Sequence, residues 1–168
     1  MKYEHQLILR LLFCFAPLGL FYLILTPLTL YVSYFLLPFK SQVVNNSLVI
    51  GMNTFEFVKA CIAGAAYYLI YILVLLTKDV SFKLRLKLMS LGFLAIFVMN
   101  ILRILILIYL AVEIDYYYFE LVHLIFWKFV SVIYVALVWI YLVKRFKIDS
   151  IPVYDDLKYL YERSMFKH

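Results

Sequence analysis

Cys61, Arg103 and His123 lie in three separate apolar runs, and each could take one part in acyl transfer. An ionised cysteine is a strong nucleophile. A histidine can accept the thiol proton and later return it to a leaving amine. An arginine can donate fixed hydrogen bonds to a developing oxyanion. Neighbours at helical spacing could assist. Asn100 stands three residues before Arg103, on the same helix face, and could orient it. Glu120 stands three residues before His123 and could hold its ring. Gly64 and Ala65 share the Cys61 face and would let another helix, or a substrate helix, approach closely.

These residues need elements that hold them in place, and the composition says which. The chain is 67% hydrophobic and 20% aromatic, with a mean hydropathy of +0.98, where a soluble domain is roughly 45–50% apolar. Such a chain is expected to be an all-α, polytopic membrane helical bundle. Four transmembrane spans are expected, at about 7–37, 57–77, 88–112 and 121–143. The first run carries Pro17, Pro27 and Pro38 and is too short for two full crossings at ~20 residues each. It reads as one long or kinked span, with room for an interfacial segment.

Basic residues concentrate at the N-terminus (Lys2, Arg10), in 78–87 (Lys78, Lys83, Arg85, Lys87) and after 143 (Lys144, Arg145, Lys147 and beyond). The two other connections hold Lys40 alone, and 113–120 carries Glu113, Asp115 and Glu120. The positive-inside rule then places both termini in the cytoplasm. The net charge of +6 reports topology, and no nucleic acid is implied. Residues 1–148 form the transmembrane bundle, with the link 38–56 folding over its outer face. Residues 149–168 read as a cytoplasmic amphipathic tail: Asp155 and Asp156 start a short helix whose Leu157, Leu160, Tyr161 and Met165 share a face at the interface.

Ionisable groups inside a span cost ~2.5–3.5 kcal/mol at the helix centre, so each asks for a reason. Lys59, Arg103, His123 and Lys128 are the candidates. Lys59 and Lys128 can reach the outer head groups by snorkelling. Arg103 lies ~13 Å below the outer end of its span at 1.5 Å per residue, and its side chain can climb from there. Cys61, Arg103 and His123 thus come to similar depth on the extracytoplasmic side. Cys14 reads as a packing residue on the opposite side, out of disulfide reach of Cys61. No zinc ligand set and no pair of haem histidines is present, so no metal or organic cofactor is expected. Two functions remain in view. One is an intramembrane cysteine enzyme. The alternative is a non-catalytic membrane scaffold or assembly protein whose polar trio is a structural hydrogen-bond cluster. The sequence is silent on oligomeric state.

Three segments in order, "ACIAG", "NILRI" and "HLIFW", resemble the motifs of the exosortase/archaeosortase family. The likeness covers roughly residues 55–130, and the whole chain resembles a compact archaeal member. Ile62 follows Cys61 where bacterial members typically carry serine, which points to the archaeal branch. The resemblance implies Cys61 as nucleophile, Arg103 as transition-state stabiliser and His123 as the third catalytic member. It implies a protease/transpeptidase acting on secreted surface proteins that end in a tripartite tail: a signature, a hydrophobic helix and a basic cluster. A membrane lipid is the implied acceptor of the new C-terminus.

Overall fold

The computed structural model describes residues 3–15 and 18–163. Pro17, Met165 and the side chain of Lys59 lie outside the described residues. The chain is mainly helical. Two helices, α1 (Tyr3–Cys14) and α2 (Leu18–Leu36), are followed by three short strands, β1 (Ser41–Val44), β2 (Ser47–Ile50) and β3 (Asn53–Glu56). A 3₁₀ turn (Lys59–Ile62) leads into α3 (Gly64–Leu76). Then come α4 (Phe82–Tyr109) with a π turn at Leu110–Ile114, and α5 (Tyr116–Ile125), joined through a π turn at Phe126–Val130 to α6 (Ser131–Phe146). The last element is α7 (Tyr154–Arg163).

Among the described residues, three helices are long and apolar enough to cross a membrane: Gly19–Leu36, Phe82–Ile114 and Tyr116–Phe146. The expected spans 88–112 and 121–143 fall within the second and third. The other two expected spans take a more broken form. The run 7–37 forms two helices, α1 and α2, of which α2 holds the span-length stretch. The run 57–77 becomes helical only at Gly64, and its 13 residues reach ~20 Å at 1.5 Å per residue. That is short of the ~30 Å hydrocarbon layer. Its first residues instead form the 3₁₀ turn that carries Cys61.

The all-α expectation is also corrected, because residues 41–56 form an antiparallel sheet in the order β1-β2-β3. The physical cause is legible locally. Asn45 and Gly51 take positive φ values of 53° and 59°, opening two tight hairpin turns. Along β2, burial alternates, with Leu48 and Ile50 pointing inward. Those two side chains join Leu30, Leu37, Phe57, Ile62, Ile104 and Ile108 in one apolar cluster. The sheet is therefore fastened to α2 and α4 as a cap on one end of the bundle.

A second cluster, Tyr67, Ile70, Val74, Leu88, Ile96, Val135, Val138 and Leu142, packs α3, α4 and α6 together. Of the most apolar stretch in each long helix, 44% is buried in α4, against 17% in α2 and 11% in the α5–α6 helix. Helix α4 is thus the central one. Its buried stripe runs Leu88, Gly92, Ile96, Asn100, Arg103, Ile104 and Leu107, at helical spacing. Two polar residues on this stripe are carried inside the protein.

The opposite end is closed by polar caps. Ser81 caps α4 by accepting the Leu84 N–H. Arg85 donates to the carbonyls of Val74, Leu75 and Thr77, which the end of α3 leaves unpaired. In the tail, Asp156 is buried, ion-paired with Arg10 at 3.2 Å, and accepts from the Tyr3 phenol. Tyr159 packs its ring on Tyr3 at 4.2 Å. Helix α7 is seated by these residues, and Leu157, Leu160 and Tyr161 stay exposed.

Candidate active site

Cys61 is positioned by the turn that precedes α3. Its N–H donates to the Val58 carbonyl at 2.8 Å, fixing the 3₁₀ turn. Ala63 then takes a left-handed conformation, φ 56° and ψ 30°, which redirects the chain into α3. A residue with a Cβ pays ~1–2 kcal/mol there. The strain is held because the Ala63 carbonyl accepts the first helical bond, from Ala66 N–H at 2.9 Å.

Arg103 and Asn100 approach this turn from α4, and both are almost fully buried. The carbonyl of Cys61 accepts from Asn100 Nδ2 at 2.9 Å and from Arg103 Nη2 at 3.2 Å. Asn100 was expected to orient Arg103. It instead shares with Arg103 the task of holding the Cys61 peptide. The central helix thus holds both the cysteine backbone and a cation beside it.

His123 enters from α5. It lines the same cavity as Cys61 and Arg103, a space of about 300 Å³ at the sheet end of the bundle. That is at the lower end of the ~300–1,000 Å³ found for small-molecule sites. The floor includes Ile104, Leu107 and Ile108 of α4; one wall is Tyr116, Phe119 and His123; the other is the run Asn53–Val58. The three side chains singled out by the sequence are therefore brought together. No hydrogen bond links the His123 ring to Cys61; such contacts are often long before substrate binds.

The supporting residues fare unequally. Glu120 is exposed and makes no hydrogen bond to His123; the His123 ring meets Phe119 instead, edge-on at 5.7 Å. Gly64 does allow a close approach, but the approach is made by this chain's own α2. A Cβ at Gly64 would stand 2.5 Å from the Tyr22 ring. Next to it, a second groove of about 420 Å³ is lined by Ala63, Ala65, Ala66, Trp127, Val132 and Arg103. Arg103 borders both spaces.

Glu56, Tyr116 and Phe119 also line the cavity, although sequence reasoning did not select them. A hairpin signal around Gly51 would have been the route to Glu56, since it decides that 53–56 is a strand. Lys128 is exposed on its π turn, away from the cavity lining. Cys14 and Cys61 are both free thiols. Among the described residues, no three His, Cys, Asp or Glu side chains converge as a metal site would need. The chain matches no protein-family model, no curated protein and no solved structure.

Proposed function

We propose that this protein is a membrane-embedded cysteine transpeptidase that cuts C-terminal sorting tails of surface proteins. The observation that carries the reading is the shared cavity of Cys61, Arg103 and His123. It agrees with the resemblance of their three motifs to exosortases and archaeosortases. In this reading α2, α4 and the α5–α6 helix each cross the membrane, and the turn at Lys59–Ile62 together with α3 makes the fourth crossing. The basic end, with Lys78, Arg85, Lys144 and Lys147, faces the cytoplasm, and the cavity opens on the extracytoplasmic side.

The chemistry follows from the residues. His123 takes the Cys61 proton, and Sγ attacks the scissile carbonyl carbon, forming a C–S bond. The carbonyl oxygen becomes an oxyanion beside the Arg103 guanidinium. Collapse breaks the C–N bond, and His123 returns the proton to the departing amine. A lipid amine then attacks the thioester, loses its proton to His123, and the C–S bond breaks. Cys61 regains its proton from His123. The small-residue groove at Ala63, Ala65 and Ala66 offers a seat for the tail's hydrophobic helix, next to the reacting bond.

The test is co-expression with a tripartite-tail protein from the same genome, reading its C-terminus by intact mass. Wild type yields a truncated, mass-shifted terminus and Cys61→Ala yields the full tail. Undiminished processing by Cys61→Ala removes the proposal. A second reading, a scaffold, draws on the two hydrogen bonds to the Cys61 carbonyl, which also describe an interhelical clasp. A scaffold predicts no processing and a Cys61 thiol that alkylates no faster than Cys14.

A further inference from the structure

The run Asn53–Val58 lines the cavity with six consecutive residues. Side chains along a strand alternate between faces, so a space touched by every residue runs along the strand's edge. Strand β3 is the last in the order β1-β2-β3, and among the described residues no strand pairs with its far side.

The pairing shows which backbone groups are spent. Ile50 pairs with Asn53 across a two-residue turn, and the register continues through Leu48 with Phe55. Phe57 N–H donates to Asn46 carbonyl at 2.9 Å, which fixes the phase. Hydrogen-bonded positions alternate in an antiparallel pair. Asn53, Phe55 and Phe57 therefore turn their backbone groups to β2, and Thr54 and Glu56 turn theirs away. The Glu56 carbonyl accepts from Val58 N–H at 3.1 Å. Among the described residues, that leaves three groups along the edge without a backbone partner: Thr54 N–H, Thr54 carbonyl and Glu56 N–H.

We infer that the free edge of β3 binds the cleavage segment of the substrate as an added fourth strand. The inference rests on the proposed transpeptidase reading and deepens it. The occupant is an extended peptide with its scissile carbonyl at Cys61. Main-chain pairing supplies affinity without regard to side chains, and cavity walls such as Phe55, Tyr116 and Phe119 select among them. An unpaired edge is a liability that proteins usually cover or charge. Here it borders a cysteine, an arginine and a histidine.

The experiment compares two alkylating probes with the same warhead. One is chloroacetone; the other is N-acetyl-Ala-Ala-Ala chloromethyl ketone. Labelling of Cys61 is read by mass spectrometry on the full-length protein in detergent, and each rate is normalised to reaction with glutathione. The expected result is at least tenfold faster labelling by the peptide. Methylating one backbone amide of the probe removes that advantage and methylating its neighbour does not, because only alternate amides face the edge. Thr54→Pro, which deletes the outward N–H and leaves the β2 ladder intact, lowers the peptide-to-chloroacetone ratio about tenfold. Equal normalised rates for the two probes overturn the inference, as does an advantage insensitive to both amide methylations and to Thr54→Pro. A Cys61 inert to chloroacetone itself removes the transpeptidase reading, and the strand docking with it.

Discussion

Asn100→Leu separates what the cluster does for stability from what it does for the cysteine. Asn100 is 3% exposed. Its Nδ2 donates one of the two hydrogen bonds to the Cys61 carbonyl, and its Oδ1 has no hydrogen-bond partner. Losing the first costs about 0.5–1.5 kcal/mol, and the carbonyl is not orphaned because Arg103 still holds it. Removing a buried, unpaired acceptor returns about 1–3 kcal/mol. Leucine keeps the branching and heavy-atom count of asparagine, and its bulkier methyls take up part of that gain. The hydrogen-bond balance runs from about 0.5 kcal/mol less stable to about 2.5 kcal/mol more stable. The Cys61 peptide, however, keeps one tether in place of two. Loss of about 1.4 kcal/mol in its positioning is a tenfold loss of rate. Thermal unfolding in detergent reads the first quantity, and tail processing reads the second. The double variant Asn100→Leu/Arg103→Leu orphans the carbonyl and costs about 1–3 kcal/mol beyond the sum of the singles. A single variant destabilised by more than about 2 kcal/mol with full processing, or an additive double variant, would refute the reasoning.

Three further outcomes are expected. Gly64→Ala places a methyl 2.5 Å from the Tyr22 ring and costs about 1–3 kcal/mol; the cost vanishes in a Tyr22→Ala background, which thermal unfolding checks. The Tyr3 phenol is pushed up to about 12, chiefly by burial and then by its bond to Asp156. Since an unfolded phenol ionises near ~10, the folded state holds this proton more tightly; the stabilisation is complete below pH ~10 and is lost as pH rises towards about 12. Limited proteolysis of the 147–153 link should accelerate across that window, and Tyr3→Phe should lack the step. Asp156→Ala leaves Arg10 without its carboxylate and releases α7, seen as protease sensitivity of that link at pH 7 with tail processing retained.

The sequence carried the long helices well, because hydropathy is a strong signal. Asn100 and Arg103 were readable as a pair, since three-residue spacing on a buried stripe leaves little choice of direction. The start of α3 was not readable. An apolar run gives no mark where helix begins, and the left-handed residue at the break is Ala63, where glycine would have signalled it. The sheet escaped because strands of four residues show barely one alternation, and only Asn45-Asn46 and Gly51 hint at the turns. Glu120 was misassigned for a simpler reason. Spacing allows it to reach His123, but its side chain points out of the protein, and Phe119 fills the place beside the ring. Glu56 borders Cys61 only because the unanticipated sheet places it there.

The account turns on a covalent link between Cys61 and the substrate carbonyl. The most direct measurement is to stop the reaction by acid during tail processing and read the mass of the Cys61 peptide. The account predicts an adduct equal to the upstream substrate fragment, released by neutral hydroxylamine as a thioester is, and absent from His123→Ala, where the thiol lacks its base. Processing of the tail with an unmodified Cys61 at every time point would contradict it.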